Sequence, residues 1–189
     1  NPMDLATLTI LLGIAIALPQ VYGLIKPGEL SIFARGLARN RIAGYVLIFI
    51  GAVWFLRVLE HETLADFEVY KSKMQIFFVL LGVGACVYLK DFLAVRGLAV
   101  VMLLLAKTVI ETARYAETDW RLVLIVMSYI WIILGMIFTV SPWRFRDMVN
   151  WAFSSEERIR RLCVLRLALA LLLVGLGLTV FKTPAIAGQ

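Results

Sequence analysis

The stretch RLVLIVMSYIWIILGMIFTVSPWRFRDMVNWAFSSEERIRRLCVLRLALALLLVGLGLTVF, residues 121–181, decides the fold. Two apolar runs, residues 122–140 and 162–181, enclose a segment crowded with arginine and aromatic side chains. A hydrocarbon core about 30 Å thick needs about 20 apolar residues in a helix, and each run supplies that. The stretch therefore reads as a membrane hairpin whose basic turn stays at the lipid surface. Its first run carries the pair Leu134-Gly135, and its turn holds Arg144 through Arg161. Further toward the N-terminus the same rhythm recurs twice. Leu81-Gly82 leads to a turn with Lys90 and Arg96, and Leu12-Gly13 leads to a turn with Arg35, Arg39 and Arg41.

The reading is an all-α polytopic membrane protein with six transmembrane helices arranged as three hairpins, joined in part by short cytoplasmic interfacial helices. The hairpins cover about residues 3–59, 74–113 and 122–181 within a single membrane domain, 1–189. The spans are expected at residues 5–25, 42–59, 74–89, 97–113, 122–140 and 162–181. The third and fourth are short, so flanking residues or local thinning must complete them.

Composition agrees. Of 189 residues, 62% are hydrophobic and 17% charged, with a mean hydropathy of +0.91. A soluble domain of this length cannot hide so much apolar surface, because apolar usage is normally near half. The formal net charge of +6 is not a nucleic-acid footprint, since no basic stripe lies outside the short turns. Met3 reads as the natural start. No basic segment precedes the first apolar run and no small-residue cleavage site closes it, so that run reads as a retained helix. Cys86 and Cys163 are expected to be free thiols on the reducing side.

Sidedness follows from charge. The three turns carry Lys26, Arg35, Arg39, Arg41, Lys90, Arg96, Arg144, Arg146, Arg158, Arg160, Arg161 and Arg166, while Glu60, Glu62, Asp66, Glu68, Glu117 and Asp119 fall in the intervening loops. The positive-inside rule puts the turns in the cytoplasm and both termini outside, in the periplasm if the membrane is a bacterial inner membrane. Two turns are too long to be simple. After Pro27-Gly28, residues Leu30, Phe33, Ala34 and Leu37 recur at helical spacing, with Arg35, Arg39 and Arg41 largely off that stripe. Residues 143–153 mix Trp143, Phe145, Val149 and Trp151 with Arg144, Arg146 and Asp147. Both read as helices lying in the headgroup layer. Arg35, Arg39, Arg41, Arg144, Arg146, Arg158, Arg160, Arg161, Trp143 and Trp151 are the candidate headgroup contacts, and the lipid bilayer is the expected partner. Ser154 followed by Glu157 reads as a capping box that starts the last helix ahead of the membrane.

The first and third hairpins also align as a repeat, with 26 positions from Gly13 to Arg39 and again from Gly135 to Arg161. Within the third, Gly135, Pro142, Met148, Arg160, Arg161 and Gly175 follow a pattern that resembles a small two-helix family of bacterial inner-membrane proteins. The resemblance covers residues 128–181 and departs at residues 162–164, where that family places a glycine soon after the arginine pair. It implies a topology and a bacterial source, and no activity, since the family has none established. Pro19-Gln20 resembles the dipeptide of the PQ-loop and SWEET-type transporters, but those are built from three-helix repeats and the fourth helix here lacks the matching pair.

Few residues offer chemistry. Lys107 and Glu111 lie one helical turn apart in the fourth span, the candidate polar pair for an ion or solute path. The alternative is that the span starts earlier and Lys107 snorkels to the outer surface. His61, between Glu60 and Glu62, lacks a second nitrogen or thiolate ligand, so no metal site is expected. Small residues at Gly13, Ala17, Gly82, Cys86, Gly175 and Gly177 permit close helix packing, either within the chain or between subunits. With no hydrolase, zinc or phosphate-loop motif, no catalytic residue and no cofactor are expected. The expectation is a non-catalytic accessory or assembly component of an inner membrane, free-standing as a homo-oligomer or part of a larger membrane complex. The alternative is a small oligomeric channel or transporter using Lys107 and Glu111.

Overall fold

The computed structural model describes residues 4–62, 69–88 and 91–181. They form eight helices and, among the described residues, no strand: α1 (Leu5–Ile25), α2 (Pro27–Leu37), α3 (Arg41–His61), α4 (Lys71–Tyr88), α5 (Leu93–Ala113), α6 (Arg121–Val140), α7 (Trp143–Ala152) and α8 (Glu156–Thr179). Six of these, all but α2 and α7, are long and apolar enough to cross a membrane. Lys90, Asp66 and Glu68, which enter the charge argument, lie outside the described residues.

Helix ends show how the short spans are completed. α5 begins at Leu93, a turn before Gly97, and α4 begins at Lys71, so both reach spanning length by recruiting flanking residues. Asn40 starts α3 by accepting the Ala43 N–H at 3.1 Å, which satisfies one of the amides a helix start leaves open. α1 runs through Pro19 to Ile25. The missing proline N–H removes one backbone bond without ending the helix. At α8 the expected cap is displaced by one residue: Ser155, not Ser154, accepts the Arg158 N–H, at 3.3 Å. Arg158 then occupies the position where a capping box needs a glutamate, so no such box forms.

The segments expected as the first and third hairpins share one order of elements along the chain, a long helix, a short helix and a long helix: α1–α2–α3 and α6–α7–α8. Both short helices were expected from spacing. On α7, Phe145, Val149 and Ala152 turn inward while Trp143 and Trp151 stay exposed beside Arg144 and Arg146. On α2, Leu30, Ala34 and Leu37 are half-buried, whereas Phe33 is exposed together with Ile32.

The chain packs as two units, one of Asn1–Ala34, Lys107–Ile130 and Met148–Gln189, the other of Arg35–Ala106 and Trp131–Asp147. In the first, α1 and α8 form a tight antiparallel seam. A Cβ on Gly177 would lie 3.0 Å from the Ala6 carbonyl, one on Gly13 would lie 2.9 Å from the Ala170 carbonyl, and one on Gly23 would meet Cys163 Sγ at 2.9 Å. Thr9, Ala170 and Leu173 are fully buried, and the Thr9 hydroxyl is satisfied by donating to the Leu5 carbonyl at 2.7 Å. In the second unit α3 and α5 run parallel. Gly44 faces Leu93 and Ala94, Gly97 faces Leu47 and Ile48, and Gly51 faces Val100. Gly135 of α6 lies against Leu103 of α5. Phe55 and Phe78 join α3 to α4 edge to face at 4.6 Å, and Phe138 and Phe145 join α6 to α7 at 5.3 Å. These are the close approaches that helix association in lipid requires, because apolar side chains gain little by leaving lipid for protein.

Candidate functional site

The sequence singles out Lys107 and Glu111, and the structure brings them into contact. Lys107 Nζ lies 2.5 Å from Glu111 Oε1, with the two side chains 35% and 57% exposed. The i, i+4 spacing on a helix places the two heads over one another. Because α5 begins at Leu93 and ends at Ala113, both residues fall in its last two turns. That end is polar beyond the pair. The Arg121 guanidinium donates to the Ala116 carbonyl at 2.9 Å and to the Arg114 carbonyl at 3.4 Å, tying down the turn that follows α5. Arg114 lies over the Tyr115 ring, 5.9 Å from its centroid. The Thr118 hydroxyl oxygen is buried there with no hydrogen-bond partner among the described residues. A paired lysine and glutamate near a helix end can reach the headgroup level along their aliphatic stems.

The arginines expected at headgroups fall into two groups. Some are used within the protein. Arg158 stacks over Trp151 at 5.1 Å and donates to the Trp151 carbonyl at 3.0 Å and to Ser154 Oγ at 2.7 Å, fastening the corner between α7 and α8. Arg161 pairs with Glu157, and Arg146 lies 3.6 Å from Asp147. The others, Arg39, Arg41, Arg144 and Arg160, are exposed and make no ion pair among the described residues. Arg35 is exposed and has a partner of its own.

The corner between α1 and α2 holds a further polar cluster. Lys26 Nζ pairs with Glu29 at 2.7 Å, and the Tyr22 hydroxyl donates to the other Glu29 oxygen. The Lys26 ammonium, then the Tyr22 hydroxyl, hold the Glu29 carboxyl below its ordinary pKa. The hydrogen bond to Glu29 raises that of Lys26 in turn.

Two surface grooves, each about 460 Å³, were not foreseen. One runs between α1 and α8, walled by Ile14, Leu18, Val21, Tyr22, Leu171 and Val174 among others. The second lies between α3 and α4, walled by Val53, Leu56, Ile76 and Val79, with Arg57, Glu60 and Gln75 at its polar parts. Arg57, a lone charge late in an apolar helix, was the available signal for the second. His61 ends α3, and no group of three His, Cys, Asp or Glu side chains suited to a metal occurs among the described residues.

α4 is the least engaged span. Among the described residues, none of its apolar window is buried, and a Cβ on Gly82 or Gly84 would meet nothing within 4 Å, in contrast to Gly13 and Gly177. Gly175 of α8 is open in the same way. Comparison with family models, with curated proteins and with solved structures gave no match to the chain.

Proposed function

We propose that this chain is a non-catalytic integral membrane protein of a bacterial inner membrane, acting as an accessory or assembly component of a larger membrane complex. The observation that supports this reading is α4. It is a spanning helix with no buried window and with Gly82 and Gly84 facing open space. Glycines in a membrane helix cost helix propensity, and their benefit is close approach by another backbone. In α1, α3 and α5 that benefit is realised inside the chain. On α4 it is left for another spanning helix. The proposed orientation puts the three basic turns in the cytoplasm and both ends outside.

The test is a photo-crosslinking amino acid at Gly84, introduced in native membranes, with the adducts identified after purification. A discrete protein adduct that disappears when the cross-linker is moved to the buried position Leu173 supports the reading. Cross-linking to lipid alone, with purification as a lone species, rejects it.

A transport reading rests on the Lys107–Glu111 contact inside a spanning helix. It requires that Glu111→Gln alter flux through reconstituted vesicles. Unchanged or absent flux with the fold intact removes it.

A further inference from the structure

The groove between α1 and α8 has an end that the groove between α3 and α4 lacks. Positions 160, 164, 167, 171 and 174 recur at alternating steps of four and three, so they share one face of α8. Leu171 and Val174 wall the groove, Val164 is exposed and Leu167 half-buried, and Arg160 closes the row. The seam fixes its level. Gly13 lies against Ala170 and Val174, and Gly23 against Cys163, so Arg160, three residues beyond Cys163, stands level with the Lys26 end of α1. There Lys26 is neutralised by Glu29, while Arg160 is exposed and makes no ion pair or hydrogen bond among the described residues. Glu156 lies a turn further from the groove and does not pair with it.

Length agrees with charge. From Arg160 to Val174 is fourteen residues, about 21 Å of helix, a little more than the depth of one leaflet, which is about 15 Å of hydrocarbon. The groove's lining is apolar and Arg160 stands beyond its Lys26 end, an arrangement that would accept one acyl chain with its headgroup at the arginine. The α3–α4 groove has the same volume but carries Arg57 and Glu60 together, so its charges offset and it has no preference for an anion.

We infer that the α1–α8 groove is a seat for one anionic glycerophospholipid, its acyl chain along Val21, Leu171 and Val174 and its phosphate on Arg160. This rests on the chain spanning a membrane and is independent of the accessory reading. A zwitterionic lipid fits the groove by shape, but its ammonium returns a positive charge beside the arginine. A guanidinium matches the phosphate of an anionic headgroup in planar, two-pronged fashion.

The experiment is native mass spectrometry of the delipidated full chain in detergent. It is titrated with phosphatidylglycerol and, separately, phosphatidylcholine of the same chains, and melting is followed in parallel. The expected result is a single phosphatidylglycerol adduct that outlasts the phosphatidylcholine one and raises the melting temperature. Arg160→Gln should weaken phosphatidylglycerol binding about five-fold, the factor for one basic residue near an anionic lipid surface, and leave phosphatidylcholine unchanged. Leu171→Trp, at an exposed position where folding is spared, should fill the groove and lower binding of both. Arg57→Gln, in the α3–α4 groove, should change neither. Equal affinity for the two lipids in the native chain overturns the inference. So does full phosphatidylglycerol preference in Arg160→Gln, or unchanged binding in Leu171→Trp.

Discussion

Phe92 is the non-glycine residue with positive φ among those described, at 57°. It sits just before α5, where its carbonyl accepts from the Val95 and Arg96 amides. The left-handed conformation costs an L-residue about 1–2 kcal/mol and costs glycine nearly nothing. Phe92→Gly should therefore melt higher than Phe92→Ala by the equivalent of about 1 kcal/mol, a comparison in which the phenyl ring is absent from both. Equal melting in detergent would show that the turn relaxes. Glu29 makes a second prediction at this scale. Its folded pKa is lowered, so its contribution is present above the ordinary carboxylate value of 4.5 and is lost as pH falls through the lowered one. Protection factors of the amides of residues 26 and 28–30, which remove the intrinsic pH dependence of exchange, should fall over that acid window, and Glu29→Gln should make those protection factors insensitive to pH. Polar contacts of this kind were only partly legible in the sequence. The spacing of Lys107 and Glu111 announced their contact, because i, i+4 neighbours on a helix must meet. Nothing local announced that Ser155 would cap α8 in place of Ser154, since either serine offers the same oxygen one residue apart.

Among the elements, the apolar runs located all six candidate spans, while ends moved: α5 starts at Leu93 instead of Gly97, and α8 starts at Glu156, ahead of its apolar run, and stops at Thr179. Which glycines bear on another helix was not legible. In lipid the apolar faces of α1 and α4 look alike in sequence, and only the partner distinguishes them. Gly13 and Gly82 both follow a leucine, yet a Cβ on Gly13 would press on the Ala170 carbonyl and one on Gly82 would meet nothing. Gly13→Ala should thus destabilise the α1–α8 seam by about 1–3 kcal/mol, the usual cost of overpacking. Gly82→Ala should leave the isolated chain unchanged or slightly more stable through its better helix propensity. Thermal unfolding of the two variants side by side checks this, and equal loss in both would mean that α4 is packed in solution. The α7–α8 corner follows the same logic. The arginines had looked uniformly like headgroup anchors, but Arg158 is held by Trp151 and Ser154, a tertiary arrangement that no sequence spacing reveals.

At the level of the whole molecule, charge argues for one orientation three times over. The positive-inside bias acts on short loops near the spans, and each basic turn here joins two consecutive candidate spans. An even number of spans makes all three turns favour the same side, so no turn opposes another. A membrane-impermeant maleimide, applied to intact cells carrying single cysteines in a background with Cys86 and Cys163 replaced, should label Glu62→Cys and Glu117→Cys at once. Arg39→Cys and Arg144→Cys should label only after lysis, and the reverse pattern would invert the topology. The agreement among turns has a sharper consequence. Replacing Arg35, Arg39 and Arg41 with glutamine removes the main basic charge of the first turn but leaves Arg96, Arg144, Arg158, Arg160 and Arg161 in place. That variant should therefore keep its labelling pattern. Neutralising the third turn as well leaves only the middle one, and a mixed pattern should then appear, with Glu62→Cys and Gly36→Cys each labelled in part of the population. If the first triple substitution alone inverted the chain, the leading hairpin would dominate orientation, and the later turns would follow it whatever their own charge.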